Sequence, residues 1–256
     1  LKTQYLNAGN ISARINLHAK YSVNKQGWFS WIYEQCGLEP GIKVLETGCG
    51  DGRLWVDNIK NVEKLKNIKI TVTDISEGMV NDARRNIGNG MFDYGVADCM
   101  NLPFDDNSFD CVIANHVIFY CEEPGKAFKE IKRVLKPGGK AVFSTYGSHH
   151  MQEIAQLVNQ FDKRIVLSAD VLYEKFGLDN GERLLKKYFN KVDKRLYDDY
   201  LLVDVAEPII EYILSCHGNQ NHYLLDRYSD FKAFIMKKTR KPLKITKEAG
   251  VFVCFN

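Results

Sequence analysis

Between residues 41 and 147, the hydrophobic positions of the chain follow two alternating periods. Short apolar runs of strand type are separated by segments in which apolar residues recur at helical spacing. This alternation predicts an α/β fold with a mainly parallel sheet, right-handed crossovers and helices on both faces, which is a doubly wound architecture. The strand-like runs are Ile42–Glu46, Ile68–Val72, Phe109–Ala114 and Lys140–Ser144, and the helical segments are Gly52–Ile59, Gly78–Ile87 and Pro124–Leu135.

The pattern on either side of this core is less regular. Residues 26–33 predict an amphipathic helix, and residues 148–189 are helical in pattern without a strong strand, which indicates an insertion or lid. Further strands are predicted at Val192–Tyr197 and Gly250–Phe255, and further helices at Val205–Cys216 and Tyr223–Lys238. We therefore predict a single domain over residues 1–256, consisting of an N-terminal helical cap (1–40), a core (41–147), a helical insertion (148–189) and a C-terminal segment that completes the sheet (190–256).

Composition narrows the class of protein without naming a partner. The 35 Lys and Arg against 32 Asp and Glu leave a formal charge of +3, which is too small to indicate a polyanionic partner. No apolar run approaches the roughly 18 residues of a membrane span, and the amino terminus lacks the pattern of a signal peptide. The seven cysteines contain no C-x-x-C pair, which is typical of reduced cytosolic thiols, and their spacing predicts no metal site. We expect a soluble, cytoplasmic protein.

The most informative segment is Val44–Gly52, where a predicted buried strand leads directly into three glycines at alternate positions and then a helix. A dinucleotide-binding loop has the form G-x-G-x-x-G, and here its third glycine would fall at Arg53. The G-x-G-x-G form leaves room for a ligand without a phosphate, such as the amino-acid and sugar parts of S-adenosylmethionine.

Two acidic residues follow predicted strands. Asp74 stands at the end of the second strand, where an acceptor can take hydrogen bonds from both ribose hydroxyls; a helix N-cap is its alternative role. Asp98 follows a presumed third strand and could accept from an adenine amino group, with a surface turn as its alternative.

Five motifs occur in order between Lys43 and Tyr146. They are Val44–Gly52, Val72–Ser76, Ala97-Asp98, Leu102–Asp110 and Arg133–Gly139. In this order they resemble the class I S-adenosylmethionine-dependent methyltransferase superfamily, in particular the type 11 branch typified by ubiquinone/menaquinone biosynthesis enzymes. The resemblance implies a Rossmann-like sheet of seven strands with an antiparallel last strand. It also implies S-adenosylmethionine as cofactor of the 41–147 core and S-adenosylhomocysteine as product.

The resemblance also implies roles for individual residues. It places Gly48 and Gly50 against the methionine and ribose parts of the cofactor, Asp74 on the ribose and Asp98 on the adenine. Some relatives close an amino-terminal tyrosine over the cofactor, and Tyr21 is the counterpart here, with plain packing as its alternative. The further cofactor-binding residues implied are Glu46 and Cys49 in the loop, Ile75, Met79, Cys99 and Met100 around the adenine, and Asn115 and His116 near the methionine part.

A sulfonium is already a strong methyl donor, so the protein must chiefly align the acceptor with the methyl group and exclude water. A general base is needed only if the acceptor loses a proton. His116 is the first candidate and Tyr120 the second, because both follow the fourth strand; a structural or adenosine-contacting role is the alternative for His116. Further candidates are Tyr146, His149 and His150.

The sequence thus predicts methyl transfer to an O, N or C atom of a small-molecule acceptor that it does not name. An RNA methyltransferase is the alternative, but the basic run Lys237–Lys244 has no interleaved aromatic residues and reads as a solvated turn. A nicotinamide-dependent oxidoreductase is disfavoured by Arg53. A non-catalytic cofactor binder also remains open, and the oligomeric state is not predicted.

Overall fold

A computed structural model describes residues 8–168 and 171–256 of the chain. The chain divides into two compact units. The sheet unit comprises residues 28–147, 172–197 and 249–256, and the second unit comprises residues up to 27 together with 148–171 and 198–248.

The strands, numbered along the chain, are β1 Lys43–Thr47, β2 Lys69–Asp74, β3 Phe92–Val96, β4 Phe109–Asn115, β5 Leu135–Tyr146, β6 Lys191–Tyr197, β7 Tyr200–Val203, β8 Leu243–Thr246 and β9 Ala249–Phe255. The helices are α1 Ala8–Tyr21, α2 Trp28–Cys36, α3 Arg53–Val56, α4 Ile59–Val62, α5 Glu77–Ile87, α6 Pro124–Val134, α7 Gln152–Phe161, α8 Leu172–Lys175, α9 Gly181–Leu185, α10 Ala206–Leu214, α11 Gln220–Leu224 and α12 Tyr228–Lys238. Short 3₁₀ helices occupy Ile118–Tyr120 and Leu225–Arg227. None of the helices described is both long and apolar enough to cross a bilayer.

The sheet unit contains a seven-stranded sheet of order β3-β2-β1-β4-β5-β9-β6. The first five strands in this order are parallel, and β9, the last along the chain, pairs antiparallel with both β5 and β6. The predicted seven-stranded, mainly parallel sheet with an antiparallel last strand is therefore confirmed. The chain runs outward from β1 to β3 and then returns to β4, so the strand order reverses between β1 and β4. Open α/β sheets form a ligand crevice at such a point, at the carboxyl ends of their strands.

Each face of this sheet packs against its own set of helices. Successive residues of a strand point to opposite faces, so Val44 packs with Ile32 of α2 and Trp55 of α3, whereas its neighbour Leu45 packs with Phe128 of α6. The apolar runs Cys111–Ala114 of β4 and Ala141–Phe143 of β5 follow from burial on both faces. This arrangement is the doubly wound architecture that the alternating pattern predicts.

The predicted boundaries of the parts differ from the two units. The predicted 148–189 insertion divides after residue 171: α7 lies in the core of the second unit, whereas Phe176 and Leu185, beside α8 and in α9, are buried in the core of the sheet unit. The 190–256 segment completes the sheet only through β6 and β9, and the 1–40 cap divides after Gly27. Hydrophobic periodicity marks the face that a helix buries but does not identify the surface that covers it.

Two predicted helices are also shorter than expected. Within the predicted Gly52–Ile59 helix, α3 ends at Val56 and α4 begins only at Ile59. Between them, the side-chain amide of Asn58 donates to the Leu54 carbonyl oxygen at 2.7 Å. Within the predicted Tyr223–Lys238 helix, a 3₁₀ turn separates α11 from α12. The antiparallel pair β7-β8 in the second unit was not predicted at all.

The second unit holds a buried ion pair between Asp199 and Lys247. The Nζ of Lys247 lies 2.8 Å from Asp199 Oδ2, and the side chains are 7% and 0% exposed, respectively. The hydroxyl of Ser22 donates to the same carboxylate, and the backbone amides of Asn24 and Tyr200 donate to its Oδ1 atom at 3.0 and 2.9 Å. The carboxylate is therefore fully hydrogen-bonded and links the turn after α1 to the strand pair β7-β8.

Candidate cofactor and active site

The glycine loop after β1 has the backbone conformation that only glycine adopts without strain. Gly48, Gly50 and Gly52 have φ values of 70°, 56° and 81°. A Cβ atom on Gly48 would overlap the Val117 side chain, so this position also has no room for a side chain, whereas no atom of the described residues lies within 4 Å of the corresponding position on Gly50. The loop thus presents bare backbone to open space at the carboxyl end of β1.

Asp74, at the end of β2, is hydrogen-bonded to this loop. Its Oδ2 atom accepts from the Gly50 amide (3.0 Å) and its Oδ1 atom from the Ser76 amide (2.9 Å). The N-cap of α5 is Ser76, whose hydroxyl accepts from the Met79 amide, so the helix-cap alternative for Asp74 is wrong. Burial raises the pKa of Asp74, while hydrogen bonds from Ser76 and Gly50 act against that rise.

Glu46, the residue before the last of β1, is 1% exposed. Its Oε2 atom accepts a hydrogen bond from the indole nitrogen of Trp55 at 2.6 Å. Burial raises the pKa of Glu46 to about 8, although the Trp55 bond acts in the opposite direction. The side chain is therefore largely protonated at neutral pH. Trp55 was not identified from the sequence, because only folding of α3 onto β1 brings it to the carboxyl group.

The titration of Glu46 predicts a change of stability with pH. Between its ordinary pKa of 4.5 and its folded-state pKa of about 8, the folded protein binds more protons than the unfolded chain. Raising the pH across this window therefore destabilises the fold by up to about 1.4 kcal/mol per pH unit. Glu46→Gln keeps an oxygen for Trp55 but does not titrate, so its free energy of unfolding should fall less steeply. Urea unfolding of both proteins across the window measures this; parallel curves would contradict it.

Apolar side chains lie exposed where β2 and β3 end. Ile75 is 65% exposed and Val96 is 54% exposed, so both apolar side chains are open to solvent. Asp98 follows β3, and its Oδ1 atom accepts from the Met100 amide at 2.8 Å, so it shapes a turn with one carboxylate oxygen. Met100 packs partly buried against the core, and Cys99 is buried. Val96 was not among the residues predicted to contact a cofactor.

The end of β4 is fixed by Ser144 of the neighbouring strand. The Ser144 hydroxyl donates to Asn115 Oδ1 (2.6 Å) and accepts from the His116 amide (2.8 Å). His116 has a φ of 53°, which is uncommon for a residue other than glycine. Ser144 therefore holds both predicted residues, but no sequence signal marked it, since it lies 29 residues from Asn115.

His116 belongs to a group of aromatic rings that we call the aromatic cluster: Trp28, His116, Phe119, Tyr120 and Tyr146. The His116 ring stacks on Trp28, with ring centroids 5.0 Å apart, and lies 5.9 Å from Phe119 and 6.3 Å from Tyr146. Tyr120 packs edge-on against Phe119 at 4.7 Å. Three of the predicted candidate bases thus share one cluster. The indole nitrogen of Trp28, which sequence reasoning missed, is buried without a hydrogen-bond partner among the described residues.

Three other predicted residues lie in the second unit. Tyr21 is the last residue of α1, and its buried hydroxyl has no hydrogen-bond partner within the part of the chain that the structure describes. His149 Nδ1 lies 3.4 Å from a carboxylate oxygen of Glu248, and the His150 ring is stacked 6.1 Å from that of His18. Any part that these residues play in binding or chemistry stays a prediction.

Comparison with known proteins identifies the sheet unit's core. Residues 45–143 match the family described as a methyltransferase domain. The chain is 36% identical over 108 residues to cycloartenol-C-24-methyltransferase 1 of Oryza sativa subsp. japonica, covering 41% of this chain and 30% of that protein. It is 30% identical over 143 residues to the ubiquinone/menaquinone biosynthesis C-methyltransferase UbiE of Haemophilus ducreyi, covering 54% of each. The chain thus spans about half, or less, of the length of these curated relatives.

Among solved structures, the [4+2]-cyclase SpnF shares the fold, with a TM-score of 0.58 at 19% identity over 100% of this chain and 94% of that one. The matched segment 45–143 contains the glycine loop, Asp74, Asp98 and His116, and the sheet around it has the strand order described above. Residues 45–143 of the chain therefore belong to the class I S-adenosylmethionine-dependent methyltransferase superfamily, in its type 11 branch.

Proposed function

We propose that this chain binds S-adenosylmethionine at the carboxyl ends of β1, β2 and β4 and transfers its methyl group to an O, N or C atom of a small-molecule acceptor. The observation that carries this proposal is the hydrogen bond from the Gly50 amide to Asp74, which joins a left-handed glycine loop, beside the switch point of the sheet, to the carboxylate at the end of β2. When bound, the cofactor supplies an electrophilic methyl group on a sulfonium.

The charge around the loop fits such a ligand. Asp51 lies between Gly50 and Gly52, and the Asp74 carboxylate accepts from the Gly50 amide, while the buried Glu46 is largely protonated. The carboxylates of Asp51 and Asp74 suit the ammonium, sulfonium and sugar hydroxyls of S-adenosylmethionine, and they repel a pyrophosphate. Thr47 adds a buried hydroxyl that has no hydrogen-bond partner within residues 8–168 and 171–256. The residues present therefore favour an adenosyl sulfonium over a dinucleotide.

The individual roles follow from this placement. Gly48 and Gly50 would allow the close approach of the methionine and ribose parts, while Asp74 would accept from the ribose hydroxyls. Asn115 and His116, held by Ser144, would face the reacting methyl. The adenine would lie among Ile75, Met79, Asp98, Cys99 and Met100. Glu46, Cys49 and Tyr21 are proposed as further cofactor-binding residues.

The acceptor is proposed to be a small molecule with apolar or aromatic character. The relatives are named for sterol, quinone, malonyl-[acyl-carrier protein] and phosphoethanolamine methylation, so C, O and N atoms all serve as acceptors among them. The aromatic cluster beside His116 offers apolar ring faces. We propose further that the protein acts in the cytoplasm on a metabolite and not on nucleic acid.

Calorimetry with S-adenosylmethionine, S-adenosylhomocysteine and NAD tests the cofactor. The first two ligands should bind, and NAD should not. The proposed cofactor would be wrong if NAD bound as tightly or if S-adenosylmethionine failed to bind.

Turnover is tested by the formation of S-adenosylhomocysteine in the presence of a panel of metabolites and, separately, of RNA. Formation with a metabolite supports the proposal. Formation with RNA alone, with binding that weakens steeply as salt is added, would favour the RNA methyltransferase. If the cofactor bound but no acceptor gave a product, the protein would instead be a non-catalytic cofactor binder.

A further inference from the structure

Two cysteine side chains meet beneath the carboxyl edge of the sheet. The Sγ atoms of Cys99 and Cys121 are 3.2 Å apart, and the two residues are 7% and 5% exposed. Cys99 follows Asp98 in the turn after β3, while Cys121 follows the 3₁₀ helix Ile118–Tyr120 after β4. The sulfur pair thus lies between two turns that are 22 residues apart along the chain.

We propose that Cys99 and Cys121 form an oxidation site, at which a peroxide converts the two thiols into a disulfide. A disulfide has a sulfur–sulfur bond of about 2.05 Å, so each sulfur needs to move by only about half an ångström for the bond to form. The site lies just beneath the surface, because the flanking residues Met100 and Tyr120 are partly exposed and Glu122 is exposed.

The reaction is a two-electron oxidation of the thiol pair. The Cys121 sulfur attacks one peroxide oxygen, the O–O bond breaks, and the thiol proton leaves with the second oxygen as water, so that a sulfenic acid remains on Cys121. The Cys99 sulfur then attacks the sulfenic sulfur; the S–S bond forms, the S–O bond breaks and a second water leaves. One peroxide is reduced for each disulfide formed.

The environment of the pair indicates which thiol reacts first. The hydrogen bond shared with Cys99 lowers the pKa of Cys121, and the Lys175 charge acts in the same direction. The same hydrogen bond raises the pKa of Cys99, as does its burial. Since the thiolate is the nucleophile, Cys121 attacks the peroxide and Cys99 resolves the sulfenic acid.

The disulfide would cross-link the turn that carries Asp98 to the turn that carries Tyr120. If the proposed function is correct, these turns contact the adenine and the acceptor, respectively, so oxidation would fix both sides of the site in one arrangement. The formation of the disulfide does not depend on that assignment, and its test therefore uses no cofactor and no activity.

The test treats the purified full chain with hydrogen peroxide and measures intact mass, free thiols and linked peptides. We expect a mass loss of about 2 Da, loss of two thiols, a peptide joining Cys99 to Cys121 and full reversal by dithiothreitol. Cys99→Ser and Cys121→Ser should abolish the mass loss, whereas the matched control Cys216→Ser should retain it. A linked peptide between other cysteines, or sulfinic acid on Cys121 without any cross-link, would overturn the proposal. Peptide mapping of the unsubstituted chain decides the matter if a serine variant does not fold.

Discussion

Replacing Asp74 with alanine is expected to weaken the binding of S-adenosylmethionine by about 100-fold. The proposed role of this carboxylate is to accept two hydrogen bonds from the ribose, and each bond to a charged acceptor contributes about 1.5 kcal/mol. Alanine also removes the acceptor of the Gly50 amide and so loosens the glycine loop. Calorimetric titration of the purified variant with the cofactor measures the change.

Two controls separate this role from a general effect on folding. Asp74→Asn keeps an oxygen for Gly50 but loses the charge, so its affinity should fall by only about 10-fold. Asp93, an exposed carboxylate near the start of β3, lies toward the opposite edge of the sheet, and Asp93→Asn should bind like the unsubstituted protein. A folded Asp74→Ala protein with affinity within about threefold of the original would rule out the ribose role.

Replacing Lys247 with methionine is expected to lower the free energy of unfolding by about 3–5 kcal/mol, because it leaves the buried Asp199 carboxylate without its cation. Burial alone would raise the pKa of Asp199, but hydrogen bonds from Lys247 and Ser22 outweigh it and hold that pKa below the ordinary 3.8. The ion pair therefore stabilises the fold fully at pH values above the ordinary pKa of the carboxyl group. This stabilisation is lost as the pH falls through the folded-state pKa of Asp199. The difference between the variant and the original should accordingly narrow in acid.

Urea unfolding measures this difference, and Lys241→Met is the matched control because Lys241 is exposed. The control should change stability by no more than about 0.5 kcal/mol. If Lys247→Met unfolded at the same urea concentration as the control, then the buried pair would not stabilise the second unit. If the decrease in the free energy of unfolding stayed constant at low pH, the effect would instead come from side-chain packing.

The glycine loop could be predicted from the sequence, whereas several of the contacts around it could not. Three features could be predicted from the sequence because each depends on neighbouring residues. They are the alternation of strand and helix periods, the G-x-G-x-G spacing and the position of Asp74. The third strand was only presumed, since Phe92–Val96 has a weak apolar pattern at the edge of the sheet. Its parallel pairing with β2 became definite only in the fold.

Sequence patterns alone thus determined the class of fold, the order of the core elements and the position of the glycine loop, since short-range spacing encodes turns and strand ends. Tertiary packing decided the rest: the stack of Trp28 on His116, the hold of Ser144 on Asn115, the bond of Trp55 to Glu46 and the division of the 148–189 segment between two cores. Each of these features is a contact between elements that are distant in the sequence. Such contacts depend on strand register and helix orientation, and local spacing along the chain does not predict them.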